Sequence, residues 1–188
     1  MKKERLWHTI RLCMIPSGGK RAEYIRKKKI FHSVGEKCIF MDRKIPLYAN
    51  LIKLGNNVHL ASNITFVTHD VTHKMLNNIQ GKRQQPFCET VGCIEIMDNV
   101  FVGTNVTILN NVRIGSNVIV AAGSVVTKDV PENSVVAGVP ARVICSLDAH
   151  MAKRKNLYPA ELKPRGQQVS AELEKMLWED FVTKRDRI

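Results

Sequence analysis

Aromatic residues, long apolar runs and a regular set of cysteines are all scarce or missing in this 188-residue chain. Aromatics make up 6% of the residues while hydrophobic residues make up 44%. The core must therefore be built mainly from aliphatic side chains, which favours a β architecture rich in valine and isoleucine. No apolar run approaches the roughly 20 residues that span a bilayer. The first residues are interrupted by His8 and Arg11 and lack a small-residue cleavage site, so they do not predict a signal peptide.

The cysteines give no pattern that predicts a metal site or a disulfide framework. There are five, an odd number, at irregular spacings, so we expect free thiols in a reducing cytoplasm. Cys88 and Cys93 are too few to indicate zinc by themselves. At 21.3 kDa the chain is long enough for one domain with modest appendages.

The net charge of +12 is concentrated at the start of the chain. Residues 1–30 carry +8, residues 31–140 carry +1 and residues 141–188 carry +3. The cluster at residues 26–29 is of a kind that attracts nucleic acid, anionic lipid or a phosphorylated substrate. A solvated, partly helical arm is the simpler interpretation, with no nucleic-acid partner.

The strongest pattern is an aliphatic, β-branched residue at every sixth position. The first series is Ile96, Val102, Ile108, Ile114, Val120 and Val126. Four residues after each member comes a second series: Val100, Val106, Val112, Val118, Ser124 and Val130. Weaker copies lie earlier, at Val34, Phe40, Leu54, Leu60 and Phe66. An α-helix, with 3.6 residues per turn, does not keep a six-residue spacing on one face, and a simple strand alternates every two residues. A hexapeptide repeat instead predicts a parallel β-helix, with Gly and Asn at its corners.

Residues 68–90 interrupt the repeat with a polar segment that contains His69 and His73. A regular scaffold that departs from its rule for this long usually does so for function, so we predict a loop extruded from one corner.

The segments on either side of the repeat have helical patterns instead. Residues 3–15 place Leu6, Ile10, Cys13 and Met14 on one helical face, residues 20–31 predict a second basic helix, and Ser170 is a candidate N-cap for a C-terminal helix.

The segment "AAGSVVTKDVPENSVVAGVPARVI", residues 121–144, resembles the ending of the hexapeptide-repeat acyltransferases, in the branch of galactoside, maltose and xenobiotic O-acetyltransferases. With the "VTHDVTH" segment, the resemblance covers about residues 54–145. It implies a mainly β fold, a left-handed parallel β-helix that departs from the usual right-handed crossover, in a homotrimer with acetyl-CoA between adjacent subunits and no metal. The chain then divides into a basic helical segment at 1–33, the β-helix domain at 34–145 and a helical extension at 146–188. The first fifty residues look more like acyltransferases of surface-polysaccharide synthesis.

The resemblance also implies roles for individual residues. His69 matches the family's general base, and His73 matches the last histidine of the same loop. The oxyanion donors fall on the backbone near Gly103 and Thr104, and Phe101 stands where the family usually has tryptophan. Acetyl-CoA contacts fall on Ala122, Thr127, Lys128 and Arg142. Either Asp70 or Glu89 is a candidate to orient the imidazole, or a backbone carbonyl does so.

The expected reaction is acetyl transfer to a hydroxyl, helped by a neutral imidazole that removes its proton. The expected acceptor is a sugar or saccharide, including a surface-polysaccharide precursor, and the alternative is an antibiotic or other xenobiotic. A zinc hydratase like the related carbonic anhydrases would need His59 with His69 and His73, whose spacing does not match that family. A non-catalytic scaffold that binds anionic polymers through residues 1–30 is a further alternative. Peripheral membrane contact of the N-terminal helix is a lesser one.

Overall fold

A computed structural model describes residues 2–80, 86–155, 162, 164 and 168–185. The chain divides into two compact units, Met1–His150 and Met151–Ile188. The described helices are α1 Lys2–Met14, α2 Gly18–Lys27, α3 Thr72–Gln80, α4 Leu147–Arg154, α5 Ala171–Arg185 and a short 3₁₀ helix at Ala49–Leu51. None of them combines the length and the hydropathy that a membrane-crossing helix requires.

Fifteen short strands carry the hexapeptide repeat and its loop. In chain order they are β1 Ser33–Val34, β2 Ile39–Phe40, β3 Ile52–Leu54, β4 Val58–Leu60, β5 Thr65–Val67, β6 His69–Asp70, β7 Thr90–Val91, β8 Ile94–Ile96, β9 Val100–Val102, β10 Thr107–Leu109, β11 Val112–Ile114, β12 Val118–Val120, β13 Val125–Val126, β14 Ser134–Ala137 and β15 Arg142–Ser146.

Apart from β6 and β7, which pair with each other, these strands stack into three sheets, which we call sheets I, II and III. Sheet I contains β1, β3, β8 and β11; sheet II contains β2, β4, β9, β12, β14 and β15; sheet III contains β5, β10 and β13. The chain visits I, II and III in turn, and we call each such round a coil. Between the coil of β8–β10 and the coil of β11–β13, paired residues are 18 positions apart, as in Val100 with Val118 and Thr107 with Val125. Three faces of six residues account for that spacing, so the β-helix predicted from the hexapeptide repeat is confirmed.

The two repeating series form the core. All six members of the first series are at most 1% exposed, and all six members of the second, Ser124 included, are buried. Because each coil contributes one inward side chain at the same place on each face, aliphatic residues stack in columns. Burial of a valine or isoleucine contributes roughly 1.5–3 kcal/mol before conformational entropy is subtracted.

Asparagines form the corners between the sheets. Seven of them have φ between +54° and +62°, a left-handed conformation that asparagine tolerates better than most residues. At the corner between sheets I and II their side chains make a ladder, in which each Nδ2 donates to the next Oδ1. The donor–acceptor distances are 3.0 Å for Asn57 to Asn99 and 2.9 Å for both Asn99 to Asn117 and Asn117 to Asn133.

The N-terminal helices are fastened to the first coil through Arg21 of α2. This side chain is 1% exposed; its Nε donates to the Phe40 carbonyl at 2.8 Å and its Nη1 to the Ile15 carbonyl at 2.6 Å. Ser17 caps α2 as its N-cap residue.

The predicted apolar face of α1 does not pack inward. Leu12 is the buried residue of this helix, whereas the predicted members, Leu6, Ile10, Cys13 and Met14, are exposed.

Both ends of sheet II differ from the repeat. At the start, α2 packs against β1 and β2. At the finish, β15 pairs with β14 in the antiparallel direction, whereas β2, β4, β9, β12 and β14 pair in parallel.

In the second unit, the Ser170 hydroxyl accepts a hydrogen bond from the Leu173 amide at 3.2 Å, which confirms the predicted N-cap of α5.

Candidate active site

The segment predicted as an extruded loop has regular structure of its own. Strand β6 continues from β5 and pairs in the antiparallel direction with β7, so that His69 lies opposite Val91. Helix α3 occupies Thr72–Gln80, which was predicted only as loop, and residues 81–85 of the segment lie outside the described residues. The Gly92 amide donates to the Thr68 carbonyl at 2.8 Å and closes the excursion. The histidines therefore lie on a short ribbon and a helix.

His69 stands at the corner between sheets III and I, two residues after β5 ends. The edge of its ring contacts the ring of Tyr48, with centroids 5.2 Å apart and planes at 62°. Its Nδ1 is buried and finds no hydrogen-bond partner among the described residues. Aromatic packing rather than a hydrogen bond thus holds this imidazole in the isolated chain.

The two carboxylates considered for orienting His69 have other partners. Asp70 Oδ1 accepts from the Thr72 hydroxyl at 2.6 Å and from the Thr72 amide at 3.0 Å, at the first residue of α3. These two hydrogen bonds lower the pKa of Asp70 more than the nearby His73 and His69 do. Glu89 accepts from the Tyr48 hydroxyl at 3.0 Å, which raises the pKa of Tyr48.

His73 lies on α3 and is half-buried. Like His69, it has a buried Nδ1 that lacks a hydrogen-bond partner within the described part of the chain. The two rings therefore have one unsatisfied nitrogen each on the same excursion from the β-helix. A buried polar atom without a partner costs free energy, so such atoms usually mark a place that a ligand, a water or another chain completes.

A cleft of about 640 Å³ opens beside His69. The first coil has no strand in sheet III; instead, residues 41–48 run beneath β5 and form one wall. Thr68, which is fully buried, fastens this wall by donating from its hydroxyl to the Leu47 carbonyl at 2.9 Å. Charged side chains from α1 and the wall line the cleft together with His69: Arg5, Asp42, Arg43 and Lys44.

Gly103 and Thr104 lie at a different corner, between sheets II and III. Ala122 of the next coil stacks directly on them: the Gly123 amide donates to the Thr104 carbonyl at 2.8 Å. A Cβ added to Gly103 would lie 2.5 Å from the Ala122 nitrogen, closer than real Cβ contacts, so this corner accepts only glycine. The result is a corner of small residues at which the backbones of successive coils lie close together.

The remaining predicted acetyl-CoA contacts lie at the III/I corner and on the last strand of sheet II. Thr127 and Lys128 lie at the III/I corner, on the same edge as His69 but two coils further along, because Val67 pairs with Leu109 and Thr107 with Val125. Arg142 is exposed on β15, where it pairs with Ala137.

One chain therefore does not assemble the predicted site. His69, Thr127 and Lys128 lie at one end of sheet III, whereas Gly103, Thr104 and Ala122 lie at the other. Phe101 is 46% exposed on the outer face of sheet II, in register with His59 and Ile119, and does not wall His69 of its own chain.

The zinc alternative lacks its ligand set in the isolated chain. His59 lies on sheet II, away from the ribbon that carries His69 and the helix that carries His73. No group of three or more His, Cys, Asp or Glu side chains able to hold a metal ion occurs in residues 2–80 and 86–155 or the described parts of the C-terminal unit.

Tyr48 is the site residue that the sequence did not indicate. It has φ of +48°, precedes the 3₁₀ helix and contacts both His69 and Glu89. Its distance along the chain from both partners leaves no local pattern to detect. Only the wall of residues 41–48, present because the first coil lacks a sheet III strand, brings it to the histidine.

Comparisons with known proteins agree with this architecture. Residues 94–128 match the family model "Bacterial transferase hexapeptide (six repeats)". Protein CapG of Staphylococcus aureus is 38% identical over 129 residues, which are 67% of this chain and 72% of that protein. Among solved structures, a maltose O-acetyltransferase from Clostridium difficile 630 is 30% identical with a TM-score of 0.51, covering 77% of this chain and 86% of that one.

A galactoside acetyltransferase in complex with coenzyme A is 25% identical with a TM-score of 0.52, over 88% of this chain and 90% of that one. The hexapeptide match, the extent of the CapG alignment and the shared fold point the same way. This chain belongs to the hexapeptide-repeat acyltransferase family.

Proposed function

We propose that this protein transfers the acetyl group of acetyl-CoA to a hydroxyl of a sugar or saccharide, with His69 as general base. The observation that carries the proposal is the position of His69: its ring lines the cleft and packs against Tyr48. The similar galactoside acetyltransferase is described as a complex with coenzyme A, which supports the same donor here. We also infer that the coils wind in the left-handed sense.

The proposed reaction is a direct attack. The acceptor oxygen forms a bond to the thioester carbon while the imidazole of His69 takes its proton. The tetrahedral oxyanion then collapses, the bond between carbon and sulfur breaks, and the thiolate of CoA leaves and regains a proton. A positioned general base of this kind contributes about 10² to 10⁴-fold to the rate.

The oxyanion needs donors, and the backbone at Gly103 and Thr104 is the candidate; the Gly103 amide already donates to the Val120 carbonyl at 2.8 Å, which leaves the Thr104 amide. Because those residues lie at the opposite end of sheet III from His69, the site requires a groove between two copies of the chain. We therefore propose a homotrimer in which one copy provides His69 and its neighbour provides Gly103, Thr104 and Ala122. In this arrangement Phe101 of the neighbour also has access to the groove.

Acetyl-CoA would lie along that groove. The small side chain of Ala122 permits the pantetheine arm to approach the backbone, and Thr127 offers a hydroxyl. Lys128 and Arg142 are exposed cations for its phosphates. Among the described residues the Arg142 side chain donates to the adjacent Ala141 carbonyl alone, at 2.9 Å, so most of its donor groups are left for a ligand.

The test is thiol release from acetyl-CoA with a panel of sugars, nucleotide sugars and a chloramphenicol-type drug. His69→Ala should lower kcat by at least about 100-fold while calorimetry shows unchanged acetyl-CoA affinity. The matched control is His59→Ala, on the outer face of sheet II, which should retain wild-type kcat. Wild-type turnover by His69→Ala would exclude His69 as the base, and lack of acetyl-CoA binding by the wild type would refute the proposed activity.

A further inference from the structure

The cleft beside His69 is lined by more positive than negative charge. Arg5 projects from α1, and Arg43 and Lys44 belong to the wall of residues 41–48. All three side chains are exposed, and none of them forms an ion pair with a described carboxylate. Arg43 makes one long hydrogen bond, from Nη1 to the Cys13 carbonyl at 3.4 Å. Most of the donor capacity of these cations is therefore unused.

The single carboxylate that lines the cleft does not neutralise them. Asp42 Oδ1 accepts from the Asn63 amide at 2.7 Å and its Oδ2 accepts from the Ile64 amide at 2.8 Å, so both oxygens are directed at the coil corner. The pKa of the neighbouring Arg21 is lowered by burial and next by the charge of Arg43, with Asp42 the smallest influence. The cleft lining therefore carries three cationic side chains against one carboxylate.

The size and place of the cleft relate it to the acceptor rather than to the donor. Its volume of about 640 Å³ is within the range of about 300–1,000 Å³ for small-molecule sites. It is lined by α1 and by residues 40–47 and 62–66, whereas the residues proposed for acetyl-CoA lie in later coils. His69 is common to both regions, as expected of a base between two substrates.

From these observations we propose that the acceptor is a saccharide bearing an anionic group, a phosphate or a carboxylate, and that Arg5, Arg43 and Lys44 hold that group. This inference rests on the proposed acetyltransferase function and adds the acceptor class to it. Arginine pairs with both anions through two parallel hydrogen bonds, and lysine adds a point charge. The anion anchors one part of the acceptor, and a hydroxyl elsewhere on it faces His69.

Two matched pairs of probes test the proposal and distinguish the anions. One pair is glucose 1-phosphate with methyl glucoside, and the other is galacturonate with methyl galactoside. At least one anionic probe should bind the CoA-loaded protein about tenfold more tightly than its neutral partner, and the preference should weaken at high salt. The pair that shows the preference identifies phosphate or carboxylate as the anchor.

The variants are Arg5→Gln combined with Lys44→Gln, with Arg11→Gln as control on the exposed side of the same helix. The double variant should lose the preference, raising KM for an anionic acceptor about tenfold with little change in kcat or in the KM for acetyl-CoA. Arg11→Gln should change none of these. Failure of both anionic probes to bind, or a preference that survives the double variant, would overturn the anionic acceptor.

The two hypotheses fail in different ways. If neutral sugars are acetylated as well as charged ones, in a reaction that His69→Ala abolishes, the acetyltransferase proposal stands and the anionic acceptor does not. If acetyl-CoA itself does not bind, the underlying function is wrong.

Discussion

Tyr48 connects two of the groups near the proposed base. Its ring packs against the His69 ring at a steep angle and its hydroxyl donates to Glu89, so Tyr48 links the imidazole to this carboxylate. Tyr48 is therefore a positioning residue in our proposal. Its left-handed φ of +48° is uncommon for an aromatic residue and is maintained by the surrounding turn.

Tyr48→Phe should lower kcat/KM about three- to tenfold, because the ring stays but loses its fixed partner. Tyr48→Ala removes the ring as well and should lower kcat/KM further, chiefly through kcat. The measurement is the pH profile of thiol release, which should shift with both variants since the surroundings of His69 change.

Tyr24→Phe is the matched control, because the Tyr24 hydroxyl also forms a hydrogen bond, with His8 Nδ1 at 2.8 Å, but within the N-terminal helices. It should leave the pH profile unchanged. An identical effect of the two phenylalanine variants would show that Tyr48 acts through general stability rather than on His69.

At this scale the sequence indicated candidate residues but not their contacts. His69 and the small corner of Gly103 were identifiable because they lie in short motifs. Tyr48 and the hydrogen bond from Thr68 to Leu47 connect residues more than 20 positions apart along a segment without periodicity. Such contacts depend on the packing of residues 41–48 beneath β5, for which no local pattern exists.

The elements of this fold are short, so its corners matter as much as its strands. At the I/II corner each asparagine both adopts positive φ and donates its amide to the next asparagine. Asn117 is in the middle of that ladder and bonds on both sides. The ladder connects four successive corners along one edge.

Asn117→Ala should destabilise the protein by about 2–3 kcal/mol: alanine bears a left-handed backbone cost of about 1–2 kcal/mol that the polar side chain of asparagine eases, and the lost hydrogen bonds add about 1 kcal/mol. Asn117→Gly relieves the backbone cost and loses only the ladder, so it should cost about 1 kcal/mol. Thermal unfolding at fixed protein concentration separates the two, and equal losses would mean that backbone conformation is not part of the effect.

The coils were predictable because one aliphatic residue every six positions leaves few alternatives. The flanking elements were less so. Helix α3 lies within a polar segment, and it was missed although Met75, Leu76 and Ile79 recur at helical spacing along it. The apolar residues predicted on one face of α1 are exposed in the isolated chain. An apolar stripe predicts that a helix is amphipathic, but it does not indicate which surface packs against it.

At the scale of the whole molecule, the predicted site residues lie at two ends of sheet III, so an active site requires two copies of the chain. If one copy provides His69 and a neighbour provides Ala122, two inactive variants should restore each other. Ala122 is exposed, so Ala122→Phe should block the donor without disturbing the core.

Mixed trimers of His69→Ala and Ala122→Phe at equal amounts should recover about a quarter of wild-type kcat. With random mixing, about half of the sites have an intact His69, and about half of these lie beside a copy with an intact Ala122. Each variant alone should be inactive, and native mass spectrometry should show the mixed trimers. Mixed trimers without recovered turnover would place the entire site within one chain.

The direction of β15 has a consequence for growth of the fold. Exposed sheet edges recruit further strands, and a stack of identical parallel coils is a template for endless extension. Here sheet II finishes on a strand of reversed polarity, and at the opposite end α2 covers the first strands. A further copy has no matching parallel edge to join at either terminus of this sheet, so the protein limits its own height and is protected against fibre formation.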